Sequence, residues 1–494
     1  MVFNIKQLSP IIATGVTSGN HVNVSISKIK LSACIIMEDS HSTIDDIDSL
    51  KTFVSKKYYY LGQNKQQEIS RLIFEIAKRE KVGFSYVFEQ LPPPPSRFSF
   101  IKKYLLERRY PLLHQNGVKI SQTFCDVDIN PSFRVTLAKK PLISPKQFFI
   151  EESVLSTETV QRIHDKFPNS TFTTIASYRE YVKKKAFTIA DYNKRLENFF
   201  IIREKFDFYK HCPCSNNSAS CGYFVMNLGS GCPYECTYCF LQNYINSPGI
   251  VLPANIEDFF TVFRNLKKNM RLGSGELTDS LAFDHITGYS TKIVNFFRQY
   301  PKSTFEFKTK SNNVRLLISI TGAKNIIISW SLNPQKLIDA SEYFTASLEE
   351  RLEAAQACAA AGYRVAFHFD PIICYRGGWE TDYEALINAV FDKIDSNTIA
   401  WLSLGTLRIS PQLKKIIENR FPENALLDEE LLTGFDGKLR YPAAVRSFIY
   451  TTMTSWIRKK SKDVPVYLCM EEREMHIDTH LSLKHETKKT TVVF

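Results

Sequence analysis

The sequence predicts an α/β protein built on a partial (β/α)6 TIM-type barrel, with an additional N-terminal module. Three observations predict this fold. Short apolar strands alternate with amphipathic helices between about residues 222 and 410. The chemically distinctive residues of this region follow the ends of those strands, where parallel barrels gather their chemistry. At 494 residues, the chain is also too long for one ordinary domain.

Residues 1–145 form the predicted N-terminal module. Apolar side chains recur at helical spacing over 66–81, which indicates an amphipathic helix. The four consecutive prolines at 92–95 predict a stiff extended linker, and residues 98–110 predict a second, strongly basic helix. The sequence does not indicate a function for this module.

The barrel region contains six strand and helix units. Ser347 and Glu350 form a capping box that predicts a helix start, and Gly362 predicts its end. Right-handed crossovers are expected between successive parallel strands. The strands are predicted at 223–228, 271–275, 304–309, 325–331, 364–369 and 399–404, and further helices at 256–268, 291–300 and 379–394.

The composition indicates a soluble protein with a polyanionic partner. The net charge of +12 favours nucleic acid, because neutralised phosphates release counterions, although excess charge can also serve solubility alone. Eleven clustered cysteines fit a reducing compartment. We see neither a secretory signal in residues 1–30 nor a membrane span, so we expect a cytoplasmic protein.

A cysteine loop follows the first barrel strand. Cys232, Cys236 and Cys239 are spaced so that three thiols can hold a four-iron four-sulfur (4Fe-4S) cluster and leave one iron open to a small molecule. A closed zinc site prefers four protein ligands, but three buried or zinc-bound cysteines remain the alternative. The spacing, with Tyr238 before the last cysteine, resembles the signature of the radical S-adenosylmethionine (SAM) superfamily.

The superfamily resemblance implies roles for residues at later strand ends. It implies that Tyr238 leans on the adenine of SAM. The segment from Gly273 to Glu276 resembles the glycine-rich segment whose carboxylate accepts from the SAM ammonium, although such a segment is usually a simple turn. Lys310 is a candidate for the SAM carboxylate, with a surface lysine as the alternative reading. Asp370 and Arg408 follow the fifth and sixth strands, so we expect them to meet at the same edge.

Ordered short segments narrow the resemblance to the spore photoproduct lyase family, over about residues 147–475. The segments are 150–154, 231–242, 278–279 with 284–287, 309–310, 331–333, and 371–373 with 378–380. The resemblance implies a DNA lesion flipped into the barrel mouth. It also implies SAM contacts at Thr278, Asp279, Lys310 and Ser331.

The same resemblance divides the rest of the chain. It makes 146–221 a family-specific segment, 222–410 the radical SAM barrel and 411–480 a region that contacts the lesion, with a flexible tail at 481–494. Lys438, Arg440 and Tyr441 resemble a hairpin that enters the DNA, and an ordinary surface hairpin is the alternative.

Two positions depart from the family pattern. Glu276 stands where the family has a cysteine that returns a hydrogen atom, and the O–H bond of a carboxylic acid is too strong for that role. Phe240 stands where the family has a second tyrosine. Cys374, after the fifth strand, is a candidate replacement donor, although an ordinary loop thiol is the simpler reading.

A second group of thiols precedes the main loop. Cys212, Cys214 and Cys221 follow or lie near His211, and they suggest a zinc ion, a second iron-sulfur cluster or free thiols. The leading hypothesis is a radical SAM enzyme that repairs or modifies nucleic acid, with DNA pyrimidine lesions as the expected substrate and flavodoxin or ferredoxin as electron donor. Radical SAM modification of RNA or protein and a non-catalytic zinc protein that binds nucleic acid are the alternatives.

Overall fold

The structure is a computed structural model. It describes residues 44–481 except 45, 115–119, 126–142, 144, 185–187, 189–190, 192–193, 215–217, 220, 245–246, 267–268, 423 and 480. The predicted tail at 481–494 lies outside the described residues apart from Leu481, and residues 1–43 lie outside them as well.

The strands of the described chain are β1 (Gln147–Glu151), β2 (Thr171–Ile175), β3 (Asn198–Ile202), β4 (Lys210–His211), β5 (Tyr223–Val225), β6 (Glu235–Cys236), β7 (Ile250–Pro253), β8 (Arg271–Ser274), β9 (Thr304–Thr309), β10 (Ile326–Ser331), β11 (Glu342–Tyr343), β12 (Arg364–Ile372), β13 (Ile399–Thr406), β14 (Arg408–Ile409), β15 (Leu432–Thr433), β16 (Leu439–Arg440) and β17 (Val466–Leu468).

The helices are α1 (Ile47–Lys57), α2 (Gln63–Glu80), α3 (Phe84–Glu89), α4 (Phe98–Arg109), α5 (Glu158–Lys166), α6 (Tyr178–Lys183), α7 (Leu241–Tyr244), α8 (Ile256–Leu266), α9 (Asp284–Thr287), α10 (Tyr289–Phe297), α11 (Arg315–Ile318), α12 (Gln335–Ser341), α13 (Leu348–Ala360), α14 (Trp379–Lys393), α15 (Pro411–Arg420), α16 (Ala443–Lys460) and α17 (Arg473–Asp478).

The main sheet confirms the predicted barrel strands and their order. Its strands lie in the order β4, β5, β8, β9, β10, β12, β13 and β17. All of these neighbours are parallel except β4, which pairs antiparallel with β5. The six predicted strands are β5, β8, β9, β10, β12 and β13. Strand β17 was not predicted, because a three-residue strand carries too little periodicity to be recognised.

The predicted helices of the barrel are confirmed with small changes at their ends. The α13 capping box is present, since Ser347 accepts from the backbone of Glu350 and the Glu350 side chain accepts from the backbone of Ser347. Gly362, just beyond the end of α13, has a φ of 92°, the left-handed conformation that glycine adopts without strain. These helices cover strands whose side chains are buried, as parallel sheets require.

A second, four-stranded parallel sheet lies beside the barrel. Its order is β2, β1, β3 and β7. The last strand, Ile250–Pro253, comes from beyond the cysteine loop, so the 146–221 segment is completed by a strand from the barrel region. The main chain at Ser230 also bridges antiparallel to Val251. The cysteine loop is therefore held between the two sheets at its start.

Helices α1 to α4 form the N-terminal module around their own core. Leu50, Ile73, Val87 and Ile101 are among its buried residues. The predicted helices at 66–81 and 98–110 are confirmed as α2 and α4. One basic residue of α4 does not face solvent, since Arg109 is buried against Glu75 at 3.1 Å.

Buried ion pairs and hydrogen bonds fix this module to the barrel. Nη2 of Arg79 lies 3.4 Å from Oε1 of Glu429 and 3.6 Å from Oε1 of Glu430. The two carboxylates also accept from backbone amides, Glu430 from Leu112 at 2.6 Å and Glu429 from Cys125 at 2.6 Å. Leu112 and Cys125 belong to the main hydrophobic core. The module and the barrel therefore share a packed interface.

Candidate active site

The cysteine loop lies at the carboxyl end of β5, the first parallel strand of the barrel. Gly231, just before Cys232, has a φ of 101°, and a Cβ there would lie 2.7 Å from Cδ1 of Ile250. Glycine is needed at this point because the chain passes directly against β7 in a left-handed conformation. Cys236 pairs with Glu342 in the short antiparallel ladder of β6 and β11.

Side-chain hydrogen bonds fix the backbone of the cysteine loop. Arg195 donates to the carbonyl of Cys232 at 3.0 Å, and Gln242 donates to the carbonyls of Cys236 at 3.2 Å and Cys239 at 3.2 Å. Arg420, from α15, donates to the Gln242 side chain. These contacts fix the path of the loop without using its thiols.

Glu342 is the centre of a buried network beneath the loop. Its Oε1 lies 3.0 Å from Nζ of Lys310 and accepts from Nδ2 of Asn333 at 2.9 Å, and it also accepts from the hydroxyl of Tyr238. Its Oε2 lies 2.7 Å from Nη2 of Arg351. The network joins the ends of β9 and β10 to the cysteine loop.

The charges of this network reach the cysteine loop. Nζ of Lys310 lies 3.7 Å from Sγ of Cys236 and 4.8 Å from the centre of the Tyr238 ring. Burial disfavours the charged form of Glu342, but the positive charges of Lys310 and Arg351 have the larger effect. They hold the pKa of Glu342 well below its ordinary value. Burial likewise opposes the charge of Lys310, but Cys236 and Glu342 raise its pKa. Two cations thus share one carboxylate, which leaves one positive charge in excess.

Cys236 is buried, and Cys232 and Cys239 are half-buried against Leu241. Burial raises the pKa of Cys236 to about 12, with Lys310 opposing it, and burial also raises the pKa of Cys232 and Cys239. Neutral thiols are favoured in the absence of a metal. Within the described ranges, no group of three or more His, Cys, Asp or Glu side chains has the geometry to hold a single metal ion. The fit of an iron-sulfur cluster here rests on the donor chemistry of three soft thiols on one loop.

Asp279 ties the second strand end to the third. Its Oδ1 accepts from the Thr309 hydroxyl at 2.6 Å, and its Oδ2 accepts from the backbone amide of Lys310 at 2.7 Å. Thr278 is buried beside it, and the Thr278 hydroxyl has no hydrogen-bond partner in the described part of the chain. Thr278 is thus a predicted SAM contact with an unused polar group.

Ser331 and Glu276 are engaged within the protein. The carbonyl of Ser331 accepts from Nη1 of Arg351 at 2.8 Å, which places this residue at the edge of the Glu342 network. Oε2 of Glu276 lies 3.0 Å from Nζ of Lys210 on β4. The structure thus brings Tyr238, Asp279, Lys310 and Ser331 together and pairs Glu276 with the edge strand.

Two buried pairs of polar side chains lie in the barrel interior beyond this network. The predicted meeting of Asp370 and Arg408 is confirmed, since two guanidinium nitrogens lie 2.8 Å and 2.9 Å from the two carboxylate oxygens. Burial disfavours the Asp370 carboxylate, but Arg408 lowers its pKa to about 2. His368 and Glu306 form a second buried pair at 2.6 Å.

The predicted hairpin is present, but its side chains are mostly turned inward. Strands β15 and β16 pair antiparallel, and Gly437 in the turn has a φ of 75°. Arg440 is buried and lies 2.7 Å from Asp436, and the buried Tyr441 hydroxyl accepts from the backbone amide of Cys374 at 3.3 Å. Lys438 is half-buried, 3.8 Å from Asp436.

The remaining predicted thiols lie in two places. Cys374 is buried in the main core beside Tyr441, and burial raises its pKa well above the ordinary value. Cys212 and Cys214 are hydrogen-bonded to each other, which lowers the pKa of Cys214 to about 7, helped by Arg408 and Lys438. The described residues give no support to a second metal at Cys212, Cys214 and Cys221.

Comparison with known proteins identifies the family. A family model described as spore photoproduct lyase matches residues 144–454, which is more than half of the chain. The chain belongs to the spore photoproduct lyase family. The match begins at the end of the N-terminal module, so helices α1 to α4 lie outside the shared region.

Individual members of the spore photoproduct lyase family are distant relatives. The chain is 26% identical over 307 residues to spore photoproduct lyase of Bacillus subtilis, covering 58% of this chain and 85% of that protein. It is 25% identical over 236 residues to that of Clostridium acetobutylicum, covering 46% of this chain and 68% of that protein.

Solved structures of the family share the fold. Spore photoproduct lyase complexed with dinucleoside spore photoproduct has a TM-score of 0.58 at 23% identity, covering 66% of this chain and 98% of that chain. A variant of spore photoproduct lyase with bound AdoMet and the same dinucleoside has a TM-score of 0.57 at 22% identity, with the same coverage. The curled sheet of this chain is therefore the partial barrel of that fold.

Two central residues of the site were missed by the sequence analysis. Glu342 and Arg351 lie outside every motif, on β11 and α13, and both are fully buried. Their separation in sequence gives no local signal of an ion pair. A charged residue in the apolar face of α13 was the one available indication, because buried arginines require partners. Among the described helices, none combines the length and apolar character needed to cross a membrane.

Proposed function

We propose that this protein is a radical SAM enzyme that repairs or modifies nucleic acid, with DNA pyrimidine lesions as the leading substrate. The observation that carries the proposal is the contact of Lys310 with Cys236 at 3.7 Å, which places the excess positive charge of the Glu342 network beside the cysteine loop. Family membership supports a lyase activity, and a DNA photoproduct is the substrate that the family name describes.

The three thiols fit a 4Fe-4S cluster at Cys232, Cys236 and Cys239. When bound, such a cluster supplies one electron to SAM, whose cleavage yields a 5′-deoxyadenosyl radical. Lys310, whose Nζ is 3.7 Å from Sγ of Cys236, would lie beside one of the three thiolates that hold the cluster. Flavodoxin or ferredoxin is the proposed source of the electron, and the cytoplasm is the proposed location.

The residues around the loop have separate tasks in this proposal. Lys310 provides the positive charge that attracts the carboxylate of SAM, and Glu342 holds Lys310 and Arg351 in place. The unused hydroxyl of Thr278 is available to donate to the ligand. Asp279 positions Lys310 through its backbone amide at 2.7 Å. The ring of Tyr238 lies against Lys310, and the adenine of SAM is proposed to stack on this ring.

The substrate is proposed to enter at the carboxyl ends of the strands, beside the pair of Asp370 and Arg408. Of the three predicted hairpin contacts, Lys438 has the most accessible side chain, and its charge suits a phosphate. Arg440 and Tyr441 support the hairpin from inside, because both are buried and hydrogen-bonded. Glu276 is paired with Lys210, so we assign it no hydrogen transfer.

Anaerobic reconstitution tests the proposal. Protein treated with iron and sulfide should gain the brown absorption of an iron-sulfur cluster and form 5′-deoxyadenosine when SAM and dithionite are added. Cys236→Ala should lose both properties, whereas Cys358→Ala, which removes a buried thiol of α13, should keep them. A colourless protein that binds zinc and forms no 5′-deoxyadenosine would overturn the proposal.

The substrate is tested separately. Active enzyme should convert a dinucleoside spore photoproduct to thymidines. If 5′-deoxyadenosine forms but the photoproduct remains, the radical SAM chemistry stands and the substrate must be sought in RNA or protein.

A further inference from the structure

We infer that the N-terminal module carries a separate binding surface for single-stranded nucleic acid. The surface, called here the distal patch, consists of Tyr59, Tyr60, Lys65, Arg97, Phe98 and Lys102. It lies outside residues 144–454, the region that the family model matches. The inference concerns binding alone and does not require the proposed radical chemistry.

Aromatic rings are exposed in the distal patch. Tyr59 is 78% exposed and Tyr60 37% exposed. The two rings are 5.7 Å apart in an edge-to-face arrangement. The Tyr60 hydroxyl donates to the carbonyl of Ser96 at 2.8 Å, which fixes that ring beside the start of α4. Exposed, fixed aromatic faces are the feature on which unpaired bases stack.

Cations surround a third ring in the same patch. Nζ of Lys65 lies 5.6 Å from the centre of the Phe98 ring, and Nζ of Lys102 lies 5.9 Å from it. Arg97 is exposed next to Phe98. Glu68 is the acidic neighbour, 3.3 Å from Lys102, and it also pairs with Arg71. The cations of the patch therefore exceed its carboxylates.

The charge of the module favours a polyanion as the occupant. Residues 46–114 contain thirteen Lys and Arg against seven Asp and Glu, a net of +6 within a chain of net +12. About half of the excess charge thus lies in 69 residues. On single-stranded nucleic acid, lysines can bind the phosphates while neighbouring aromatic rings stack on the unpaired bases. In a duplex the bases are paired and stacked, so they are not available to the rings.

The position of the patch separates it from the barrel. Lys65 and Arg79 lie at opposite ends of α2, fourteen residues apart, or roughly 21 Å along the helix axis. Arg79 is the residue that docks on Glu429 and Glu430. The patch is therefore at the far end of a helix whose other end is fixed to the barrel, and a strand bound there is held at a constant distance from it.

Binding measurements on the full-length protein test this inference. Fluorescence anisotropy with labelled single-stranded DNA, without iron or SAM, should show binding that weakens with salt. Tyr59→Ala should weaken it by about tenfold, in the range for one stacked base. Lys65→Glu with Lys102→Glu should weaken it further and reduce the slope of log affinity against log salt by about 1 to 2.

Matched controls separate the patch from general charge. Tyr86→Ala removes another ring of the module, 54% exposed and beside Arg108, and Lys459→Glu reverses an exposed charge on α16. Both should leave binding within about twofold of the parent protein. Equal loss in the controls and in the patch variants would overturn the inference.

Other ligands complete the test. Single-stranded RNA bound as tightly as DNA would keep the patch and widen its ligand to either nucleic acid. Tighter binding of duplex DNA, or of vesicles containing phosphatidylserine, with the same sensitivity to Tyr59→Ala would overturn the assignment to unpaired bases. Loss of 5′-deoxyadenosine formation would contradict the proposed function and leave the patch unaffected, so the two failures are distinguishable.

Discussion

Lys310 and Glu342 form a buried ion pair, 3.0 Å between Nζ and Oε1, that connects the third parallel strand of the barrel to the cysteine loop. Because Arg351 shares the same carboxylate at 2.7 Å, the removal of the Glu342 charge would leave two buried cations facing each other. The pair thus sets both the stability and the electrostatics of the site.

Glu342→Gln is expected to lower the free energy of unfolding by about 3 to 5 kcal/mol, the cost of leaving buried charges without their partner. Urea unfolding followed by circular dichroism measures it. Glu349→Gln removes an exposed carboxylate, 62% exposed, that pairs with Lys393, and should change stability by less than about 0.5 kcal/mol. Equal effects of the two substitutions would show that Glu342 is not the centre of the network.

Lys310→Gln is expected to weaken SAM binding while the loop keeps its iron. The loss of one charge-assisted hydrogen bond corresponds to about 1.5 to 3 kcal/mol, or roughly tenfold to a hundredfold in affinity. Calorimetry with reconstituted protein gives the affinity, and colorimetric iron analysis gives the cluster content. Lys302→Gln, on the exposed turn before β9, should change neither. Unaltered SAM affinity in Lys310→Gln would refute the proposed contact.

Glu430 should make stability depend on pH at the interface with the N-terminal module. Burial raises the pKa of Glu430 to about 7, although Leu112 and Arg79 oppose it. A carboxyl group with a raised pKa in the folded state stabilises the protein below its unfolded pKa near 4.5, and this contribution is lost as pH rises to about 7. The difference amounts to about 3 kcal/mol.

Stability also depends on pH through His285, and in the opposite direction. Burial lowers the pKa of His285 to about 4, so stability is lost as pH falls below the ordinary value of 6.5. Because Glu430→Gln retains His285, comparing it with the parent protein isolates the contribution of Glu430. The free energy of unfolding should therefore be measured for both proteins at pH 5 and pH 7.5. The free energy of unfolding of the parent protein, relative to that of Glu430→Gln, should be larger at pH 5 than at pH 7.5. A difference between the two proteins that is constant with pH would contradict the raised pKa of Glu430.

Cys214 is expected to react first with iodoacetamide at neutral pH, in protein without a cluster. Its pKa of about 7 makes a substantial thiolate fraction available, because the Cys212 thiol donates to it and Arg408 and Lys438 stabilise the charge. Mass spectrometry of peptides after short labelling identifies the site, and the rate should rise with a midpoint near pH 7. Cys358, whose pKa burial raises to about 12, is the internal control and should stay unlabelled.

The sequence by itself determined the strands and helices that have a strong local pattern. Strand β9 was predicted at the residues where it lies, and α13 was predicted from its capping box. Both succeed because periodicity and capping are read within a few neighbouring residues. The cysteine loop was also predicted, because the spacing of its three thiols indicates the kind of cluster that they can hold.

Only the tertiary structure decided which side chains share the site. Glu342 and Arg351 come together through β11 and α13, and Glu276 is turned to Lys210 by the edge strand, although no short motif joins these residues. The docking of the N-terminal module on Glu429 and Glu430 is equally invisible in sequence, because its partners are some 350 residues apart. A buried charge specifies that a partner must exist, and the packing of distant elements specifies which one it is.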